Sequence, residues 1–554
     1  MPFMSRFHPQ YWLGPLVVAL AAWVLTATAI DPGGAFPKMP GGPGATLDES
    51  FNVQQGLYLK RMGAEYGWGL LDPAGAKEIF EDPSYLPDHP PLGRLWLGVS
   101  HDLAVSVVPT ESSRIRWSLA HARIGSATAY ALTILIVGWG ASRWYGFGTG
   151  FCSSLALLLM PRAFAHAHLA ALETVMNLTY TLAALAVAAW WTGDKPPSKR
   201  AALLSGCLWG LAMLTKIQGV LLMVPVGVWG VCYWRHRSIL PGVLFGAAGA
   251  ATLFLLWPWL WIDPAEHLQE YLGRTTERSI NKVYYLGETY IDHADESVPE
   301  LAGYPVVPWH YPLVMFGVTV PLGILIFGLI GLFGRHEGKR WDGPLQVVVA
   351  CGLFPIALFC LSGVAVYDGV RLFLVSLPLW AIVAGRGAAL AWNWLSGKAG
   401  WFGKFIWLTV FLVMPGVSMY ALQPCQSSYY NMGVGSLRGA ARLGFEPTYW
   451  GDSIHRDFQQ EVVEAIPAGS RVGMVPVLHQ FQIDAFQSQS HIFRERGLTL
   501  EPYDPNMTNP PQYVLTFYRK ADHSRQLTEV LERSELVVSY EPQGVLLAAL
   551  YRLK

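Results

Sequence analysis

Long apolar blocks decide what this chain can fold into. Eleven of them, at 11–30, 119–140, 146–161, 169–192, 201–215, 217–234, 240–261, 311–333, 344–364, 371–392 and 401–421, approach the length of a bilayer crossing. A hydrocarbon core of roughly 30 Å takes about 20 apolar residues per helix, and inside it every backbone group must find its partner within the protein. Only 14% of the 554 residues are charged and 52% are hydrophobic, whereas soluble proteins carry about a quarter charged residues. The expected fold class is a polytopic α-helical membrane protein, with about 11 transmembrane helices in residues 1–421. The connections near 161–169 and 215–217 are so short that the helices they join should be antiparallel neighbours.

Thirty-nine basic residues balance thirty-nine acidic ones. That balance argues against a nucleic-acid partner, which needs a basic surface to replace phosphate counterions. Cys152, Cys207, Cys232, Cys351 and Cys360 lie in apolar stretches and Cys425 stands alone, so neither a disulfide framework nor a Cys/His metal spacing is present. Among the short loops, Arg143, Lys195, Lys199, Arg200, Arg235, Arg237, Arg335, Lys339, Arg340, Lys398 and Lys404 all fall on one side. The positive-inside rule makes that side cytoplasmic, together with the N-terminus. The loops 31–118 and 262–310 and everything after 421 then face outward. The first span ends in Ala27-Thr28-Ala29, a small-residue pattern that a signal peptidase can cut. Its long apolar run and weakly basic start read as an uncleaved anchor.

The outer loops carry helical patterning. Residues 48–66 and 91–108 space apolar residues as amphipathic helices do, which suits the membrane interface or a packed loop helix. From 422 to 554 the chain turns polar. Strand patterns at 471–478, 512–519, 535–542 and 544–553 alternate with helical ones near 454–465 and 522–533, and the last two strands read as a hairpin through Pro542-Gln543-Gly544. This describes a small extracytoplasmic α/β domain.

Ionisable residues gather at the outer ends of the spans. Asp48 and Glu49 follow the first span, Asp88-His89-Pro90-Pro91-Leu92-Gly93-Arg94 lies further along the same loop, and Arg123 sits just inside the second span. Arg162, His166, His168 and Glu173 surround the next outer turn, Lys216 the one after, and Tyr367-Asp368-Gly369-Val370-Arg371 precedes the tenth span. Charges at membrane depth are expensive unless paired or functional, so this one-sided gathering marks a candidate site. Each residue also has a plainer reading. Asp48 suits a helix N-cap, Glu173 and Lys216 suit a structural ion pair, and Arg371 suits a snorkelling anchor.

Taken in order, the strings LDES at 47–50, DHPPLGR at 88–94, PRAFAHAHLAALET at 161–174, GLAMLTK at 210–216, PWHYPLVMFGVTVPLGIL at 308–325, YDGVRLFLVSLPL at 367–379 and YYNMGVGSLRGAARLGFEPTYWGDS at 429–453 form a pattern. That pattern resembles the dolichyl-phosphate-mannose–protein mannosyltransferase superfamily of GT-C glycosyltransferases. Its bacterial members include lipid A aminoarabinose transferases. The resemblance implies a GT-C fold in a bacterial inner membrane and a polyprenyl-phosphate sugar donor. The sugar would pass to a hydroxyl of a lipid, glycan or protein acceptor on the outer face.

The resemblance further implies that Asp48, beside Glu49, is the catalytic acid of the first outer loop. An alcohol is a poor nucleophile, and a carboxylate in hydrogen-bond reach can take its proton during attack. A one-step displacement inverts the sugar and needs one base, unlike the paired carboxylates of retaining hydrolases. The departing lipid phosphate needs cations already in place. Arg371 and Lys216 are favoured, Arg162 next, with Arg94 and Arg123 as further candidates. His89, His166, Glu173 and Asp368 would line the site. Glu173 stands where relatives carry Asp, and the 262–310 loop is too short for the β-trefoil insertion of eukaryotic members. No metal ligand is assigned. A divalent cation at the acidic pair is an alternative, although two adjacent carboxylates are no coordination sphere. Two rival classes remain: a transporter or flippase, which predicts broken helices with charges deep in the bundle, and a receptor anchored by its spans.

Overall fold

A computed structural model describes residues 11–33, 41–109, 117–276, 280–293, 303–476 and 479–554. Residues 1–10, parts of the outer loops at 34–40, 110–116, 277–279 and 294–302, and the end of the expected 471–478 strand lie outside them.

Each apolar block is helical, but the number of membrane-length helices differs from eleven. Among the described residues four helices are long and apolar enough to cross a bilayer: Leu119–Tyr145, Leu172–Trp190, Ile217–Leu255 and Gly400–Ala421. Two bent pairs raise the number to six: Phe147–Leu158 with Pro161–Ala167, at 69°, and Tyr311–Thr319 with Leu322–Phe333, at 111°. Both bends have a local cause. A residue before proline is pushed out of the helical region, and proline cannot donate to the preceding turn. Met160 before Pro161 sits at ψ 102, and Val320 before Pro321 at ψ 134. Leu13–Thr28 and Gly343–Phe359 are apolar but shorter, at 16 and 17 residues. The two blocks expected at 217–234 and 240–261 form one helical stretch of 39 residues, interrupted by a tight turn at Arg235–Ser238 with Arg235 at φ 52.

Of the two tight connections, the one near 215–217 joins neighbours, with the Trp209 indole of Lys199–Met213 donating to the Gly219 carbonyl at 2.8 Å, whereas the one near 161–169 does not pack its flanking helices mainly on each other. Leu119–Tyr145 packs against both Phe147–Leu158 and Leu172–Trp190, while the connection itself carries the short helix Pro161–Ala167. Lys199–Met213 packs mainly on Ile239–Leu255. There Gly206 faces the Phe245 carbonyl and Gly249 faces the Trp209 ring, so a Cβ on either would collide.

The amphipathic segments of the first outer loop form Glu49–Tyr66 and Pro91–Val107, packed face to face. Gly56 lies against the Arg94 carbonyl and Gly98 against Gly56, an approach that no side chain permits. In the 262–310 loop a hairpin of β1 (Lys282–Tyr285) and β2 (Glu288–Ile291) turns through Leu286 and Gly287, both at positive φ.

Beyond 421 lies a five-stranded sheet in the order β4-β3-β5-β7-β6. Its strands are β3 (Arg471–Val475), β4 (Thr499–Pro502), β5 (Tyr513–Phe517), β6 (Glu535–Tyr540) and β7 (Ala548–Arg552). β3 ends at Pro476, which has no N–H for the ladder. β4 and β5 flank β3 in parallel, and β5-β7-β6 run antiparallel, the last pair being the expected hairpin. Ile454, Phe458, Val462, Ile483, Phe486 and Phe493 cover one face, Leu527 and Leu531 the other. This part of the chain also reaches back. Gly44 donates its N–H to the Asp452 carbonyl at 2.8 Å, and Leu119 to the Gln489 side chain at 3.0 Å.

Candidate functional site

Asp48 is the residue before the helix Glu49–Tyr66, yet its side chain makes no capping hydrogen bond. It turns to Arg371 and forms an ion pair with that guanidinium. Glu49 turns elsewhere. It meets Arg123 through two hydrogen bonds of 2.8 Å and accepts from the backbone N–H of Ala170 at 2.6 Å and of Thr46 at 2.8 Å. Arg123 in turn donates to the carbonyls of Pro43 and Gly44.

Arg371 is the hub of the first arrangement. Its Nε donates to Glu173 Oε1 at 2.7 Å, its Nη1 to Asp368 Oδ2 at 3.3 Å, and its Nη2 to Asp48. Lys216 Nζ donates to the same Glu173 oxygen at 2.7 Å. Glu173 lies in the first turn of Leu172–Trp190, where the helix dipole favours a negative charge. Asp368 and Gly369 occupy consecutive left-handed positions, at φ 54 and φ 66. For a non-glycine residue that conformation costs about 1–2 kcal/mol, so the contacts of Asp368 must hold it. Its carboxylate receives Arg371, the Trp450 indole N–H at 2.9 Å and Arg519 Nη2 at 3.0 Å, and Gly369 donates to the Tyr311 hydroxyl at 2.9 Å.

Aromatic rings enclose the cluster. The Arg371 guanidinium lies 4.9 Å from the Trp450 ring centroid, and His166 meets the same indole edge-on at 4.9 Å. Arg162 lies between the Tyr430 and Tyr449 rings at 5.2 and 5.3 Å and donates its Nε to the Tyr429 carbonyl at 3.2 Å. Its Nη2, like His166 Nδ1, is buried with no hydrogen-bond partner among the described residues.

The fold therefore brings Asp48, Glu173, Lys216, Asp368 and Arg371 into one connected network, with His166 against Trp450 and Arg162 between Tyr430 and Tyr449 beside it. Glu49 and Arg123 form a separate closed pair. Arg94 is fastened to Asp88 by contacts of 2.8 and 3.0 Å and to the Leu86 carbonyl at 2.7 Å, which ties down its own loop next to His89. Among the described residues no three His, Cys, Asp or Glu side chains stand together as a metal group. The adjacent carboxylates of 48 and 49 engage different arginines.

Two site residues were not anticipated. Trp450 lies in a string already noted at 429–453 but is an aromatic among many, and Arg519 reads as the end of a strand. In the structure the chain after β5 places Arg519 against Asp368. Burial opposes its charge, but the carboxylates of Asp368 and Asp522 outweigh burial and hold its pKa above the ordinary value.

No protein-family model matches the sequence, and no curated protein does. Among solved structures, the chain is similar to ArnT from Cupriavidus metallidurans in the apo state, at 15% identity over 97% of this chain and 96% of that one, TM-score 0.48. It is also similar to ArnT from the same organism bound to undecaprenyl phosphate, at 13% identity over 98% of both chains, TM-score 0.47. The oligosaccharyltransferase of Archaeoglobus fulgidus in the apo form is similar at 10% identity over 100% of this chain and 75% of that one, TM-score 0.47.

Proposed function

We propose that this chain is an integral membrane glycosyltransferase that moves a sugar from a polyprenyl-phosphate carrier to an acceptor hydroxyl. The observation that carries the reading is the ion pair between Asp48 and Arg371. The Asp48 side chain is 44% exposed, while Arg371, at 16%, is shared by three carboxylates. An anion arriving at this guanidinium can take the place of Asp48 without uncovering Glu173 or Asp368.

In this mechanism the donor phosphate binds Arg371 and Lys216, with the open Nη2 of Arg162 as a further donor. Asp48, released from Arg371, accepts the proton of the acceptor hydroxyl. The hydroxyl oxygen forms its bond to the anomeric carbon as the bond from that carbon to the phosphate oxygen breaks. The configuration inverts and the lipid phosphate leaves with the electron pair. Preplaced cations stabilise the charge as it develops on the phosphate. Glu173 and Asp368 aim the cations, and Trp450 and His166 wall the site. Glu49, Arg123 and Arg94 hold the first outer loop in place. Residues 1–421 would form the membrane unit and 422–554 an extracytoplasmic one, in a bacterial inner membrane with the N-terminus cytoplasmic.

The test is transfer of radiolabelled sugar from a panel of polyprenyl-phosphate sugars by purified protein in nanodiscs. Asp48→Asn is expected to lower transfer by about 100-fold or more, as loss of a general base does. Equal activity of both proteins would remove Asp48 from the mechanism. A folded wild type that releases no sugar from any carrier would remove the transferase reading, and carrier flipping would be assayed instead.

A further inference from the structure

Arg519 comes from the segment that follows β5, far along the chain from the loop it touches. That segment is firmly seated. Glu446 accepts the backbone N–H of Lys520 at 2.7 Å and of Ala521 at 2.9 Å, and the Lys520 ammonium lies 5.0 Å from the Tyr284 ring. From this base Arg519 divides its guanidinium, Nη2 to Asp368 Oδ1 at 3.0 Å and Nε to Asp522 Oδ2 at 3.2 Å. The other oxygen of Asp368 receives Arg371 and the Trp450 indole. A single carboxylate, 4% exposed, thus connects the arginine of the sheet to the arginine of the site.

We infer that Arg519 is a positioning residue that sets how much of the charge on Arg371 is available to an incoming phosphate. This rests on the reading of Arg371 as a phosphate ligand. A buried carboxylate needs compensation. With Arg519 in place, Asp368 is neutralised from behind and orients Arg371 without competing strongly for it. Without Arg519, the charge of Asp368 falls on Arg371 alone, and a phosphate has to displace a stronger internal partner. The sheet beyond 421 thereby becomes part of the donor site although it supplies no ligand to the donor.

Undecaprenyl phosphate titrated into the full-length protein in nanodiscs, followed by native mass spectrometry, measures this directly. Arg519→Ala is expected to weaken binding by about tenfold, the low end of the coupling between close charge pairs. Its effect should appear in KM for the donor more than in kcat. Arg519→Lys, which keeps the charge but not the planar fork, should show a smaller loss in the same direction, and it serves if the alanine variant does not fold. Asp368→Asn suits the left-handed backbone and removes the charge that Arg519 neutralises. In that background Arg519→Ala should change binding by less than about twofold. A merely structural role for Arg519 would leave its effect undiminished by Asp368→Asn, and that outcome overturns the inference. So does equal binding by wild type and Arg519→Ala, which leaves the transferase reading standing. A wild type that binds no undecaprenyl phosphate and transfers no sugar overturns both.

Discussion

Residues 48 and 49 are neighbours in sequence and belong to two different kinds of charge cluster. Glu49 and Arg123 are each 1% exposed; Arg123 also donates to two backbone carbonyls, and Glu49 accepts from two backbone N–H groups and the Thr46 hydroxyl. Nothing in that pair is left to exchange. Arg371 instead serves three carboxylates at once, and the most exposed of them, Asp48, is the one most readily displaced. A buried pair whose recorded bonds run to each other and to neighbouring groups of the loop fixes that loop. A shared cation with one exposed partner can trade that partner for a ligand. Two acids at one site thus divide into one that holds and one that works, and their partners tell them apart.

The sharpest way to break this contrast is to neutralise each acid in turn. Glu49→Gln leaves Arg123 buried without a counterion, which is expected to cost about 3–5 kcal/mol. Asp48→Asn removes a partly exposed partner from an arginine that keeps two others, and stability should change by less than about 1 kcal/mol. Chemical denaturation in detergent measures both. If the two variants are equally stable, the division between holding and working fails.

A second experiment moves the dock of the first outer loop and leaves the site alone. Gly44 hydrogen-bonds Asp452, and three residues on, His455 caps the helix Arg456–Ala465 through its ring nitrogen. Burial pushes the His455 pKa down to about 4 from 6.5, against the pull of Asp457 and Asp31. The folded state then refuses a proton that the unfolded chain takes up below about 6.5. The contribution is complete above that pH and is lost as pH falls towards about 4. His455→Asn keeps a side-chain acceptor for the cap and does not titrate. Wild type should therefore lose stability relative to His455→Asn by about 1.4 kcal/mol per pH unit across that window. A difference that is flat with pH would show that His455 is no more buried when folded than unfolded.

How much of this was readable beforehand depends on the range of the interaction. Apolar blocks and strand alternation are local, so the helices and β3, β5, β6 and β7 stand where the patterns put them. The bend at Pro321 was written in the sequence too, but the apolar block 311–333 runs across it and so read as one straight span, while the block 146–161 stops at Pro161 and the short helix beyond it read as a connection. β4, at Thr499–Pro502, is four residues ending in proline and carries no pattern of its own; its pairing with β3 makes it a strand. At the site, residue type and a shared side were enough to nominate Asp48, Glu173, Lys216, Asp368 and Arg371. Partner choice was not legible. Whether Arg123 joins a site or closes on Glu49 depends on how Leu119–Tyr145 packs against the first outer loop, and sequence spacing holds no information on that. Arg519 is the extreme case, because it meets Asp368 only through the seating of a distant sheet.

The smallest expected effect is the finest test of the comparison, because it sets two similar hydrogen bonds side by side. In the closed cluster the Thr46 hydroxyl donates to Glu49 at 3.0 Å; in the open one the Trp450 indole donates to Asp368 at 2.9 Å. Thr46→Val deletes the first and leaves Glu49 with Arg123 and two backbone N–H groups. That should cost about 1 kcal/mol of stability, the net value of one hydrogen bond, and leave sugar transfer at the wild-type rate. Trp450→Phe deletes the second and keeps a ring face for Arg371, so the stability cost should be similar. Here, however, the turn at Asp368 loses one of its restraints, and the guanidinium it aims becomes less well ordered. Transfer should fall by about fivefold to tenfold, the kinetic equivalent of 1–1.4 kcal/mol. Similar bonds with similar costs would then differ only in whether activity follows, and that is what separates a cluster that holds from one that works. Transfer that falls equally in both variants would mean that the first outer loop and Arg371 act as a single unit.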